Sequence, residues 1–277
     1  MIPISFEFFP PNTEAGSEKL RAVRAQLWSQ SPEYFSVTYG AGGATRDKTV
    51  ATVFEIADEG LPVAPHLSCV GAHRAQVAQL LERYRERGIQ RLVALRGDLP
   101  SGMVDHGDFR YASELVAFIR EHSGDWFRID VAGYPEVHPQ ARSAGHDLQA
   151  FANKMRAGAN GAITQFFYNA DAYFAFVDEA RRLGIDAPIV PGIMPIHNFS
   201  KVARFAEACG AEMPRWIAQR MRGFGDDAAS VRAFGLDVVA GLCQRLVDGG
   251  APALHFYTLN QAGLTLEVLG TLRRAPA

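Results

Sequence analysis

The sequence predicts an α/β protein folded as one (β/α)8 (TIM) barrel over residues 1–277. Short apolar runs recur eight times along the chain. Each is followed by helix-patterned sequence, and most of the helices stop at a glycine just before the next run. Alternating strand and helix argues for a parallel sheet, and eight units argue for closure into a barrel.

Taken in order, Ile4–Phe8 reads as the first strand, and Leu20, Val23 and Leu27 then share one helical face. Residues 34–37 form the second strand, and Gly60 stops a helix before Val63-Ala64-Pro65-His66, the third. Val77, Leu80, Leu81 and Tyr84 mark a helix that Gly88 ends before Leu92-Val93-Ala94-Leu95. Residues 129–133 follow as the fifth strand, and Gly158 precedes Ala162-Ile163-Thr164-Gln165. Gly184 precedes Ile189-Val190-Pro191-Gly192, and Gly249-Gly250 precede Leu254-His255-Phe256-Tyr257. Glycine accepts the left-handed position just past a helix, where Arg85, Arg87, Arg181 and Arg182 also put positive charge on free carbonyls. Strands this apolar suit a sheet covered on both faces. An open doubly wound sheet is the competing architecture. Its glycine fingerprint is incomplete in Gly40-Ala41-Gly42-Gly43-Ala44-Thr45, and no GxxxxGK[ST] occurs.

Composition narrows the function classes. The net charge of −2 gives no basic face for nucleic acid and no polybasic stretch for anionic lipid. Met1-Ile2-Pro3-Ile4 leads directly into a strand, and no window is long and apolar enough to span a bilayer, so a cytoplasmic protein is expected. Cys69, Cys209 and Cys243 form no CxxC pair, which argues against a disulfide framework or a cysteine zinc site, and no metal is expected.

Barrel enzymes carry their chemistry at the C-terminal strand ends. Those ends hold Glu7, Thr38-Tyr39, His66, Arg96-Gly97-Asp98, Tyr134, Gln165 and Asn260. Glu7 stands among aromatics in Phe6-Glu7-Phe8-Phe9-Pro10-Pro11, and such an apolar setting predicts a raised pKa that suits a general acid. An ion pair with an arginine is the plain structural alternative. Asp98 is equally readable as the salt-bridge partner of Arg96, His66 as a core histidine and Gln165 as a structural amide. Tyr134-Pro135-Glu136-Val137-His138-Pro139 is a loop stiffened by two prolines. Asp147 and Lys154 lie two helical turns apart, facing either one ligand or solvent, and solvent is the simpler reading.

Seven segments, in order, resemble the signatures of the methylenetetrahydrofolate reductase family. They are Phe6-Glu7-Phe8-Phe9-Pro10-Pro11, Val37-Thr38-Tyr39-Gly40, Ala64-Pro65-His66-Leu67, Ala94-Leu95-Arg96-Gly97-Asp98, Gly133-Tyr134-Pro135-Glu136-Val137-His138-Pro139, Ile163-Thr164-Gln165-Phe166-Phe167 and His255-Phe256-Tyr257-Thr258-Leu259-Asn260. The resemblance implies a barrel carrying FAD and a ping-pong reaction, in which NADH or NADPH reduces the flavin and methylenetetrahydrofolate then takes its hydride. It implies that Glu7 is the catalytic acid and that Asp98 bonds the pterin and tunes the flavin. Gln165 and Phe205 would contact both substrates. FAD contacts are implied for Thr38, Tyr39, Ala41, His66, Arg96, Gly97, Asp98, Tyr111, Ala112, Tyr134, His138, Ala141, Asp147 and Lys154. A homo-oligomer is implied as well, for which Met213-Pro214-Arg215-Trp216-Ile217 is a candidate contact surface, and no regulatory domain that binds S-adenosylmethionine is expected.

The sequence departs from its relatives at three places. Lys201 replaces a glutamine near the substrates, Gln261 replaces an arginine that would meet the folate's glutamate tail, and residues 101–110 are longer. Two rival readings stay open. One is a barrel lyase or aldolase using Lys154 as a Schiff-base amine, disfavoured by the placement of that lysine in a helix. The other is a non-catalytic flavin or folate carrier, disfavoured by the presence of both Glu7 and Asp98.

Overall fold

A computed structural model describes residues 2–39, 43–97 and 107–274, without the side chains of 43–45 and 274. Nine parallel strands form one sheet: β1 (Ile4–Phe8), β2 (Phe35–Val37), β3 (Val63–Ser68), β4 (Arg91–Leu95), β5 (Arg128–Gly133), β6 (Gly161–Thr164), β7 (Ile189–Val190), β8 (Gly192–Ile193) and β9 (Leu254–Tyr257). Their order is β7-β6-β5-β4-β3-β2-β1-β9-β8. The two ends of that order are halves of one extended stretch, the predicted seventh strand. Pro191 divides it because proline has no N–H to offer a ladder. β7 pairs with β6 and β8 pairs with β9, so the sheet returns on itself as a barrel. All eight predicted strands are present.

Helices alternate with the strands: α1 (Glu14–Trp28), α2 (Gly43–Asp58), α3 (Arg74–Glu86), α4 (Ala112–Ser123), α5 (Ala144–Arg156) and α6 (Ala170–Arg182). The excursion between β8 and β9 holds α7 (Phe199–Cys209), α8 (Arg215–Gly223) and α9 (Ala228–Asp248), and α10 (Gly263–Arg274) follows β9. The predicted stripes are the buried ones: Leu20, Val23 and Leu27 on α1, and Val77, Leu80, Leu81 and Tyr84 on α3. Gly60, Gly88, Gly158, Gly184 and Gly250 all have positive φ, as the helix stops require. Arg181 donates to the carbonyl of Ala187 at 3.1 Å, just past its own helix.

Strand alternation separates two interiors. Phe6 and Phe8 of β1 join Phe35 and Phe256 in the shell between sheet and helices. Ser5 and Glu7 point the other way, into the barrel. There Tyr34, Ala64, Val93 and Ile163 form a small separate apolar cluster. The barrel interior also holds Asp130, whose carboxyl is pushed up by burial against the pull of Arg91 and Arg128. Arg91 in turn covers the Tyr34 ring at 4.0 Å.

The seam at β8 leaves no room for a side chain at position 192. Gly192 N–H donates to Thr164 Oγ1 at 2.9 Å, and a Cβ on Gly192 would stand 2.2 Å from Thr164 O and 2.5 Å from Tyr257 Cε2. Gly192→Ala is expected to destabilise the barrel by about 1–3 kcal/mol through overpacking. Gly241→Ala, on α9 with open space around it, is expected to be stabilising by about 0.5–1 kcal/mol. Urea denaturation of both variants checks this; equal midpoints for the two would contradict the packing at the seam.

Candidate active site

The C-terminal strand ends open into a cavity of about 520 Å³ lined by Glu7, Phe9, Thr38, Tyr39, His66, Tyr134, Gln165, Phe205, Tyr257 and Leu259 among others. A larger groove, about 760 Å³, surrounds Trp216 between α8 and α9. Its charged residues Glu212, Arg215, Asp237 and Arg245 are all exposed. The smaller cavity, with a largely buried carboxylate and imidazoles, is the candidate chemical site.

Glu7 owes its position to the β1–β9 ladder, in which Ser5 stands opposite His255 and Glu7 opposite Tyr257. Its Oε2 lies 3.3 Å from His66 Nε2 and 3.6 Å from His255 Nε2. His66 Nε2 is buried and close enough for ion pairing, but its geometry falls short of a full hydrogen bond. His255 is fully buried, with Nδ1 2.7 Å from Ser5 Oγ and Nε2 3.4 Å from Ser36 Oγ. Thr258 Oγ1 donates to the Glu7 carbonyl at 2.7 Å and fixes the strand end.

The raised pKa predicted for Glu7 is corrected here. Burial does push the carboxyl up, but His66 and His255 close beside it outweigh that and hold the carboxyl at about 2. The partner is therefore a pair of imidazoles rather than the arginine of the structural alternative. In the sequence His255 stands out only as part of the His255-Phe256-Tyr257-Thr258-Leu259-Asn260 segment. Its approach to Glu7 depends on the register between the first and last strands, which no local pattern reports.

A second cluster lies on the β4–β5 side of the rim. Arg96, just after β4, donates to Gln140 and to the Gly97 carbonyl, the latter at 3.3 Å. Gly97 takes φ 81°, and a Cβ there would meet Ser68 Oγ at 2.0 Å, so only glycine allows this turn. Asp147 Oδ2 accepts from His138 N–H at 2.8 Å, and Ala141 N–H closes a turn onto the His138 carbonyl. Tyr134 packs edge-on against His138 with centroids 4.5 Å apart. Lys154 reaches from α5 to donate to Ala132 O at 2.5 Å, so the reading of Asp147 and Lys154 as a solvated face is also corrected. Burial lowers Lys154 to about 8, Asp147 pulls it back up, and Arg96 pushes it further down. Two cations are thus held near one another, an arrangement suited to a polyanion such as a pyrophosphate.

Other predicted residues are more dispersed. Gln165 lines the cavity, its Oε1 accepting from Phe166 N–H at 3.0 Å. Phe205, on α7, is 47% exposed and stacks on Phe166 with centroids 5.7 Å apart. Lys201 is exposed one turn earlier on the same helix. Gln261 is exposed just beyond β9 and outside the cavity lining, and Tyr111 and Ala112 begin α4. Ala41 and Asp98 lie outside the described residues. Among the described residues no cluster of three or more metal-type ligands occurs, and no helix is long and apolar enough to cross a membrane.

Comparison with known proteins adds a family. The sequence model described as methylenetetrahydrofolate reductase matches residues 1–273. A 5,10-methylenetetrahydrofolate reductase of Escherichia coli (strain K12) is 41% identical over 276 residues, which is 99% of this chain and 92% of that protein. An Arabidopsis thaliana protein named methylenetetrahydrofolate reductase (NADH) 1 is 37% identical over 97% of this chain and 48% of its own length. Among solved structures, a Clostridium thermocellum protein described as binding two copies of 5-methyl-5,6,7,8-tetrahydrofolic acid superposes with a TM-score of 0.65. It is 13% identical and covers 98% of this chain and 94% of that one, a likeness of fold.

The Glu7 assignment carries a stability consequence. The folded carboxyl sits at about 2 against an ordinary value of 4.5, so its ionised form stabilises the fold above pH 4.5. That contribution is lost as pH falls from 4.5 through about 2. The stability difference between the unsubstituted chain and Glu7→Gln should therefore shrink as pH falls below 4.5. Chemical denaturation across that range checks the sign; a difference that grows on acidification would overturn it.

Proposed function

Because the chain belongs to the methylenetetrahydrofolate reductase family, we propose that it reduces 5,10-methylenetetrahydrofolate to 5-methyltetrahydrofolate with electrons from NADH or NADPH by way of FAD. The observation that carries this reading is Glu7, a carboxylate at the floor of the cavity backed by two imidazoles. FAD, when bound, supplies a two-electron carrier between nicotinamide and folate. Arg96 and Lys154 would take its pyrophosphate. Thr38, Tyr39, His66, Gly97, Tyr134, His138, Ala141 and Asp147 would surround the rest, with Tyr111 and Ala112 at the outer end and Ala41 and Asp98 completing the set.

The methylene bridge of the folate must open before it can accept hydride. Glu7 gives a proton to the leaving nitrogen, which keeps the electron pair of the broken C–N bond, and the methylene carbon becomes a cationic iminium. With its proton passed on, Glu7 is again a carboxylate beside His66 and His255, the ionised form that the pocket favours. His66 or His255 would return a proton to Glu7 before the next turnover. Asp98 would stabilise the cationic iminium. Gln165 and Phe205 would hold the folate or the nicotinamide in turn, which makes the two substrates exclusive. Lys201 and Gln261 would meet the glutamate tail in place of the glutamine and arginine of relatives. A homo-oligomer joined through Met213-Pro214-Arg215-Trp216-Ile217 is part of the same reading, supported by Trp216, which is 58% exposed. A monomeric mass by light scattering would remove that part.

An anaerobic absorption titration tests the reading. The protein reconstituted with FAD should bleach with NADH or NADPH and regain its colour with methylenetetrahydrofolate. Glu7→Gln should keep flavin binding and bleaching, while folate reduction falls by about 10²–10⁴-fold. Full folate turnover by that variant would reject the acid role.

A further inference from the structure

The turn after β9 holds two consecutive non-glycine residues in the left-handed region, Leu259 at φ 50° and Asn260 at φ 55°. Such pairs are uncommon and cluster at functional sites. The turn is well tied. Thr258 Oγ1 accepts from Asn260 N–H at 3.2 Å, and Gln261 N–H donates to the Thr258 carbonyl at 3.0 Å.

This backbone aims the Asn260 amide at a single residue. Asn260 Oδ1 accepts from Phe9 N–H at 3.1 Å, and Asn260 Nδ2 donates to the Phe9 carbonyl at 2.9 Å. Both main-chain polar groups of Phe9 are held by one side chain. Aspartate could not do this, because an ionised carboxylate has nothing to donate. Phe9 therefore sits rigidly just past the end of β1, with its ring 45% exposed and lining the cavity. The ring therefore stands at the cavity lip, on the same side of the strand line as Glu7 two residues before it.

The spacing identifies what the ring would touch. Glu7 and Phe9 are two residues apart on an extended chain, about 6.6 Å. In methylenetetrahydrofolate the leaving nitrogen is bonded directly to the p-aminobenzoyl ring. A folate with that nitrogen at Glu7 therefore has its benzoyl ring within reach of Phe9.

We propose that Phe9 packs against the p-aminobenzoyl ring of the bound folate, and that Asn260 is the positioning residue that holds Phe9 in place. This rests on the folate reading above. In the FAD-loaded enzyme, Phe9→Ala should weaken binding of 5-methyltetrahydrofolate, measured by calorimetry, about tenfold, which is about 1.4 kcal/mol. Flavin reduction by NADH or NADPH should change less than twofold. Asn260→Gly keeps the turn conformation accessible but releases Phe9, and should lose folate affinity to a similar extent. The double variant should bind no more weakly than Phe9→Ala alone, because Asn260 acts only through Phe9.

Unchanged folate affinity in Phe9→Ala, or losses that add in the double variant, would overturn the inference while leaving the enzyme a folate reductase. Equal damage to flavin reduction and folate binding would also overturn it and assign Phe9 to the cofactor. If the unsubstituted enzyme binds no folate, the functional reading fails first and the inference falls with it.

Discussion

The arrangement of the site depends on burying one carboxylate where the barrel closes. Glu7 lies on β1, and the last strand, β9, brings His255 against it only because the two strands pair with Ser5 opposite His255. Removing a carboxylate from water is costly unless a partner offsets it. Here His255 and His66 provide that offset from two different strands. The strand pairing that shapes the barrel and the charge balance of its buried carboxylate therefore rest on the same contact.

Ser5 and Ser36 hold the two ring nitrogens of His255, which fixes the imidazole plane facing Glu7. The aromatic shell outside the barrel, built on Phe6, Phe8, Phe35 and Phe256, keeps these polar groups from solvent on the helix side. Packing and polar contacts are thus divided between the two faces of the same strands, with apolar packing outward and hydrogen bonding inward.

The sequence made the fold largely legible, because each strand and each glycine stop is a local signal. Less local features escaped it. Pro191 was read as lying inside one strand, although its missing N–H breaks that strand between two neighbours. The pKa of Glu7 was misjudged because Phe6 and Phe8 adjoin it in sequence, whereas alternation turns their rings to the opposite face of the sheet. The groups that do reach Glu7 are 59 and 248 residues away by number, at positions 66 and 255. Lys154 was equally opaque, since helical spacing gives the direction of a side chain but not whether a neighbouring strand end lies within its reach.

The proximity of Arg96 and Lys154 has a consequence beyond binding. Like charges held together in a partly dry setting repel, and the fold carries that repulsion whenever no anion lies between them. An anion that binds the folded chain and not the unfolded one stabilises it by mass action. A polyanion seated beside Arg96 and Lys154 would therefore raise the heat resistance of the folded chain as its concentration rises.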